Sequence, residues 1–376
     1  MKSQDYIALD ESFGAHNYHP LPVVISRARG CKVSDPEGRE YFDFLSAYSA
    51  VNQGHLHPHI VKAVEEQLGR VTLTSRAFHN DKMGLFLKKL CDYTGFEMAL
   101  PMNTGAEAVE TALKAARRWG AEKKGIENGK QKIICAEGNF HGRTIAVISM
   151  SADPESYINY GPYVPGFVKV PYADASAVEQ AIDEDTAAVI VEPIQGEAGV
   201  VVPPAGYLAQ LRKICDRHGI LLIFDEIQTG FCRTGKRFAW QYEDARPDIM
   251  CLGKALGGGI LPISAIVADR KVMDVFTPGT HGSTFGGNPL AGAVGIAAIE
   301  VLENEGLEEK AGRLGEIFRS EIGALPCKKM RLVRGKGLLN AVVFEEGFEA
   351  WNVCLALKEA GLLAKQTHGN IIRFAP

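Results

Sequence analysis

The chain has 376 residues, 46% of them hydrophobic and 23% charged, with a formal net charge of −4. That supplies apolar residues for a large core and more than one folding unit, while the lack of a basic excess argues against nucleic acid as a partner. The longest uncharged stretch, residues 282–299, is broken by Gly286-Gly287-Asn288-Pro289 and is too polar to span a bilayer, so no membrane association is expected.

In chain order, the first residues, Met1-Lys2-Ser3-Gln4-Asp5-Tyr6, carry neither a signal-peptide core nor an Arg-rich transit pattern. With eight scattered cysteines and no Cys-x-x-Cys pair, a reducing, cytoplasmic setting is expected. Residues 1–45 read as an N-terminal arm with a hairpin, Cys31–Ser34 and Tyr41–Phe44, turning at Asp35-Pro36-Glu37-Gly38. From about residue 95 to 270, β-branched runs (132–136, 187–191, 220–224, 263–268) are separated by helix-period segments such as 106–119 and 207–218. This alternation predicts an α/β fold whose mostly parallel sheet is covered on both faces. Ligands of such sheets gather outside the carboxyl ends of the strands, where Glu192, Asp225 and Lys254 fall. A helix over 289–304 then leads into helices 308–322 and 348–360 and strands 338–344 and 371–374, which suggests a smaller α/β unit. The expected division is an arm (1–45) contributing to the small domain, a large domain (46–288) and a small C-terminal domain (289–376).

Lys254 leaves the apolar run Ile249-Met250-Cys251-Leu252 and enters a turn containing Gly257-Gly258-Gly259. Burial lowers an amine's pKa and keeps it nucleophilic, and glycines let a bulky ring approach the backbone. Upstream, Leu221-Leu222-Ile223-Phe224 ends in Asp225. An acid for a pyridine nitrogen and an amine for an aldehyde are what a pyridoxal phosphate (PLP) site requires. Asn103-Thr104-Gly105-Ala106 opens a helix, and unpaired N–H groups at such a start bind phosphate. Phe140 offers a stacking face and Arg143 a guanidinium fork for a carboxylate. Glu192 and Glu197 follow a strand as a candidate acid–base pair or charged lip, and Arg373, a lone cation in an apolar strand, needs a partner that Glu197 could be.

Two other patterns fit less well. Gly230-Phe231-Cys232-Arg233-Thr234-Gly235-Lys236 mimics a P-loop, but Arg237 stands where a magnesium-binding hydroxyl belongs, and no helix pattern opens there. His55-Leu56-His57-Pro58-His59 lacks the spacing of zinc sites, so no metal is expected.

Taken in order, Thr104-Gly105-Ala106-Glu107-Ala108, Phe140-His141-Gly142-Arg143, Glu192-Pro193-Ile194-Gln195-Gly196-Glu197, Asp225-Glu226-Ile227-Gln228-Thr229-Gly230, Gly253-Lys254-Ala255-Leu256-Gly257-Gly258-Gly259 and His281-Gly282-Ser283-Thr284-Phe285-Gly286-Gly287-Asn288-Pro289 resemble the class III (ω-amino) PLP-dependent aminotransferases. Residues 15–22, 48–55, 73–78 and 334–341 are similar to the ornithine aminotransferase branch of that family, and the likeness runs from about residue 13 to the last residue. The resemblance implies a fold-type I transferase working as a homodimer with shared active sites. In it Lys254 would bond covalently to the PLP aldehyde, Asp225 would face the pyridine nitrogen, Gln228 the ring's oxygen, and Phe140 would stack on the ring. Gly105 and Ala106 would bind the phosphate, joined by Thr284 from the partner chain.

The implied reaction transfers the δ-amino group of L-ornithine to 2-oxoglutarate, giving glutamate 5-semialdehyde and L-glutamate, within arginine metabolism and proline biosynthesis. Arg143 would take ornithine's α-carboxylate, with Tyr18 and Tyr48 lining the far end of the pocket. Arg373 would take the α-carboxylate of 2-oxoglutarate, and Glu197 would cover it when ornithine is bound. The alternatives are another ω-aminotransferase acting on 4-aminobutyrate or N-acetylornithine, an aminomutase, or a catalytically silent homologue. Ornithine aminotransferases often carry Trp where this chain has His141, whereas His is common in the wider class. Family members usually continue past the position of Pro376 through another helical segment, so a shortened small domain is expected.

Overall fold

The computed structural model describes residues 1–376. Its strands in chain order are β1 (Arg27–Arg29), β2 (Lys32–Ser34), β3 (Glu40–Asp43), β4 (Met98–Met102), β5 (Lys132–Ala136), β6 (Phe167–Val170), β7 (Thr186–Val191), β8 (Leu221–Asp225), β9 (Ile249–Leu252), β10 (Ser264–Ala268), β11 (Met330–Lys336), β12 (Leu339–Phe344), β13 (Leu362–Leu363), β14 (Lys365–Thr367) and β15 (Ile371–Phe374).

Seven of these form the central sheet, in the order β4-β10-β9-β8-β7-β5-β6. Strands β9, β8, β7, β5 and β6 pair in parallel, while β10 runs antiparallel to both β9 and β4. The sheet is mostly parallel, as expected, and the run over 263–268 is a strand that reverses direction. Every residue of β7, β8, β9 and β10 is buried, as in a sheet covered on both faces.

Successive side chains go to opposite cores. Ile134, Val189, Leu222, Phe224 and Met250 point into one, shared with helices Pro58–Leu68, Tyr207–His218 and Pro289–Asn304. Ile133, Cys135, Ala188, Ile190 and Cys251 point into the other, under the helix Gly105–Glu122. That helix meets the sheet through Ala108, Ala112, Ala115 and Ala116, and small residues let it approach closely. At Gly120 a Cβ would stand 2.9 Å from the Ala187 Cβ, so the approach there requires glycine.

The helix Pro289–Asn304, capped by Asn288 accepting the Ala291 N–H at 2.8 Å, lies within the large core rather than over the C-terminal strands. The C-terminal strands form an antiparallel sheet, β11-β12-β15-β14. The N-terminal hairpin β2–β3 forms as the turn at 35–38 predicts, and β13 adds to it in parallel beside β3, tying the arm to the C-terminal region. Sequence periodicity gave no warning of edge strands β4 and β6, nor of helices Ser3–Phe13, Pro58–Leu68 and Met83–Thr94. No helix is long and apolar enough to cross a membrane.

Candidate active site

The carboxyl ends of β7, β8 and β9 open onto one cleft of about 360 Å³, lined by Phe140, His141, Glu192, Glu197, Asp225, Gln228 and Lys254 with Ile194, Ile227 and Thr229. Asp225 is the last residue of β8, and Lys254 opens a single 3-10 turn just after β9. Lys254 has φ +44°, a left-handed conformation that a non-glycine residue rarely adopts and that gathers at functional sites.

Asp225 is 5% exposed. Its Oδ2 lies 2.7 Å from His141 Nδ1, and its Oδ1 accepts the Ile227 N–H at 3.1 Å. Burial alone would push the His141 imidazole down, but the bond to Asp225 and the charges of Asp225 and Glu192 outweigh it and leave the pKa raised. His141 Nε2 is buried without a hydrogen-bond partner. Glu192 accepts the Phe140 N–H at 2.9 Å and the Gly196 N–H at 3.3 Å. Burial, with the Asp225 charge adding to it, pushes its carboxyl up to about 7.

Lys254, half-buried, faces these acids across the cleft. Burial lowers its pKa, while Glu197 and Asp225 oppose that shift, so its neutral form is favoured relative to a free lysine. Beside the cleft, the helix Gly105–Glu122 starts with a reciprocal cap: Thr104 Oγ1 accepts the Glu107 N–H at 3.2 Å, and Glu107 Oε2 accepts the Thr104 N–H at 2.7 Å. The N–H groups of Gly105 and Ala106 remain free of any partner within the chain. A Cβ at Gly105 would be 3.1 Å from Cδ1 of Ile227, so this helix start sits directly against a cleft residue.

Arg373, in β15, is 3% exposed, and its Nη1 lies 2.6 Å from Glu197 Oε1. The Arg373 guanidinium also sits 5.1 Å from the centre of the Tyr48 ring. Burial alone would raise the Glu197 pKa, but Arg373 overrides it and holds the carboxyl below its usual value. Gln228 Nε2 donates to the Tyr48 carbonyl at 3.3 Å and reaches Glu197 Oε1 at 3.5 Å.

The remaining candidates lie outside the cleft lining. Arg143 is exposed, stacks 5.4 Å over the Phe140 ring and donates to Ser156 Oγ at 2.7 Å. Tyr18 is exposed and shares a shallow apolar groove with Tyr48, and Thr284 is exposed on this chain. Sequence reading named no role for His141 or Ser156. His141 had one usable signal, its place next to Phe140, but nothing along the chain links it to a residue 84 positions away.

The other motifs resolve into structural roles. His55, His57 and His59 each bond a different carboxylate, those of Asp43, Glu305 and Glu300. In the P-loop-like segment, Arg233 is buried and donates to Asn52 and to the carbonyls of Leu338 and Pro376.

A family model described as "Aminotransferase class-III" matches residues 13–376. The chain is 55% identical over 375 residues to the ornithine aminotransferase of Exiguobacterium sp., a match covering 100% of this chain and 93% of that protein. Among solved structures it resembles the ornithine aminotransferase of Toxoplasma gondii ME49, with a TM-score of 0.97 and 45% identity over 100% of this chain and 90% of that one. It also resembles the acetylornithine aminotransferase of Elizabethkingia anophelis, with a TM-score of 0.92 and 52% identity over 100% of this chain and 94% of that one.

Proposed function

The chain belongs to the class-III aminotransferases, which use PLP, and on that footing we propose that it moves the δ-amino group of L-ornithine to 2-oxoglutarate. The products are glutamate 5-semialdehyde and L-glutamate. The observation that carries the reading is Lys254 and Asp225 at adjacent strand ends in one cleft, with Glu197 already paired to Arg373 at its edge.

The residues present fit the cofactor. Two free N–H groups at a helix start suit a phosphate, Asp225 suits a protonated ring nitrogen, and the Phe140 ring offers a flat face. When bound, PLP supplies an aldehyde for amine exchange and a cationic ring that delocalises the electron pair left on the substrate carbon. His141 orients Asp225, whose carboxylate would pair with the cofactor's protonated ring nitrogen. Lys254 Nζ, favoured as the neutral amine, takes the proton from Cδ of ornithine. Gln228 would hydrogen-bond the ring's oxygen.

Orientation falls to two arginines. Ornithine must present its δ end and glutamate its α end to the same reacting position, so their carboxylates lie at different distances from it. Arg143 takes the α-carboxylate of ornithine, with Tyr18 and Tyr48 lining that end. Arg373 takes that of 2-oxoglutarate once Glu197 swings away. An Arg–carboxylate fork is strong and geometry-selective, so neutralising the unused arginine suppresses the wrong orientation.

The working unit is a homodimer in which Thr284 of the partner subunit completes the phosphate site. Phe78, Leu85 and Phe285 are exposed large apolar side chains that a second copy would cover. The division into arm (1–45), large (46–288) and small (289–376) domains stays part of this reading, although the helix Pro289–Asn304 packs into the large core. A cytoplasmic location agrees with eight free cysteines.

The 52% identity to an acetylornithine aminotransferase favours N-acetylornithine as the second reading. A donor panel of L-ornithine, N-acetylornithine and 4-aminobutyrate with 2-oxoglutarate separates them. Ornithine should give the highest kcat/KM with glutamate 5-semialdehyde as product, and preference for either other donor would overturn the ornithine assignment.

A further inference from the structure

Ser46, Ala47, Tyr48 and Ser49 have φ values of +48°, +48°, +60° and +70°, a full turn of left-handed backbone with no glycine in it. L-residues visit this region singly and rarely in succession, because Cβ crowds the following carbonyl. The Ser49 hydroxyl is buried without a partner, a second unfavourable feature of the same four residues. Such a turn persists only where its surroundings force it.

Asp43, the buried last residue of β3, supplies that force. Its Oδ1 accepts the N–H groups of Leu45 and Ser46, each at 2.9 Å, which fixes the entry to the turn. Its Oδ2 lies 2.8 Å from His55 Nε2, so the carboxylate is itself anchored. The far side of the turn delivers Tyr48 to two places at once. The Tyr48 ring covers the Arg373 guanidinium at 5.1 Å, and its carbonyl accepts from Gln228, the amide that also reaches Glu197. One strained turn therefore contacts Arg373 directly and reaches Glu197 through the Gln228 amide.

We propose that Asp43 and the left-handed turn Ser46–Ser49 are a positioning device that holds the Glu197–Arg373 pair closed, and so set how strongly the enzyme rejects entry of an amino acid by its α-amine. The proposal rests on the gating role given to that pair above. Neither Asp43 nor Ala47 is assigned a contact with substrate, and both act through Tyr48.

Ala47 gives a clean test, because its side chain is exposed and its N–H donates no hydrogen bond. The readout is the single-turnover rate of the PLP-loaded dimer with L-glutamate divided by that with L-ornithine, followed by the cofactor's absorbance. Ala47→Pro fixes φ near −65°, which the left-handed turn excludes, and should raise the ratio about fivefold or more. Asp43→Ala should move it the same way, while Ala47→Gly, free to adopt positive φ, should keep it within about twofold of the parent.

Glu197→Ala is measured alongside. If it raises the ratio while Ala47→Pro leaves it at the parental value with a parental absorbance spectrum, the turn is mere scaffold and the proposal is overturned. If Glu197→Ala also changes nothing, the gate itself is wrong and the proposal falls with it. Should Asp43→Ala fail to fold, Ala47→Pro against Ala47→Gly carries the test.

Discussion

Glu197 Oε1 and Arg373 Nη1 lie 2.6 Å apart, joining the loop after β7 to a strand of the C-terminal sheet. Arg373 is almost fully buried, so this carboxylate is the main compensation for its charge, while its Nε has no partner at all. A cation so placed attracts any carboxylate that replaces Glu197. On the proposed gating role the bond is both a structural pair and a competitor for the substrate's carboxylate.

Glu197→Ala should raise the α-amino half-reaction with L-glutamate relative to the δ half-reaction with L-ornithine by about tenfold, the order of one lost charge-assisted contact. Leaving Arg373 uncompensated should also cost on the order of 3 kcal/mol of stability. Added 2-oxoglutarate should recover part of that loss in a thermal melt, because its carboxylate fills the vacated place. Equal reaction ratios in variant and parent would count against gating.

Glu192 predicts a pH dependence of stability. Its pKa rises from an ordinary 4.5 to about 7 on folding, chiefly through burial, so the folded chain holds a proton that the unfolded chain releases. Stability from this group is then fully present below pH 4.5 and is lost as pH rises toward 7, a span on the order of 3 kcal/mol. Glu226, raised to about 7 by burial, acts in the same direction. Glu192→Gln keeps an acceptor for the Phe140 N–H without an ionising group. Its Tm should fall less than the parent's between pH 5 and 7, and parallel curves would refute the assignment.

His141→Phe should weaken PLP binding about tenfold in a titration of the apoprotein, since Asp225 loses a charge-assisted bond and its orientation. An unchanged Kd would show that Asp225 needs no support from the imidazole.

The strand ends were legible because the chemistry there is written in one dimension: an apolar run followed by Asp225, another followed by Lys254. The sheet's parallel majority followed from the alternation of helices and strands. The direction of β10 did not, because a strand buried on both faces reads the same whether it runs parallel or antiparallel. Edge strand β4 hid behind Pro101, a residue that argues against a central strand. The Glu197–Arg373 bond was foreseeable as a need, since a lone buried arginine requires an anion, but its geometry was not. The His141–Asp225 pair and the left-handed turn at 46–49 left no linear signal, because both depend on neighbours far away in the chain.

The proposed dimer makes a complementation prediction. Thr284→Ala and Lys254→Ala subunits, mixed and allowed to exchange, should form hybrids with one site that has Lys254 from one chain and Thr284 of the partner subunit. Activity of the mixture above the sum of the two separate variants is expected. Strict additivity would mean that each site is built from a single chain.

The most direct measurement is visible absorbance of the purified protein with PLP, before and after L-ornithine, in parent and Lys254→Ala. The parent should show a band that borohydride fixes covalently at Lys254, identified by peptide mass, and that ornithine bleaches. Lys254→Ala should show neither the covalent mass nor steady turnover. A parent labelled at any other lysine, or a Lys254→Ala variant that turns over normally, would contradict the account.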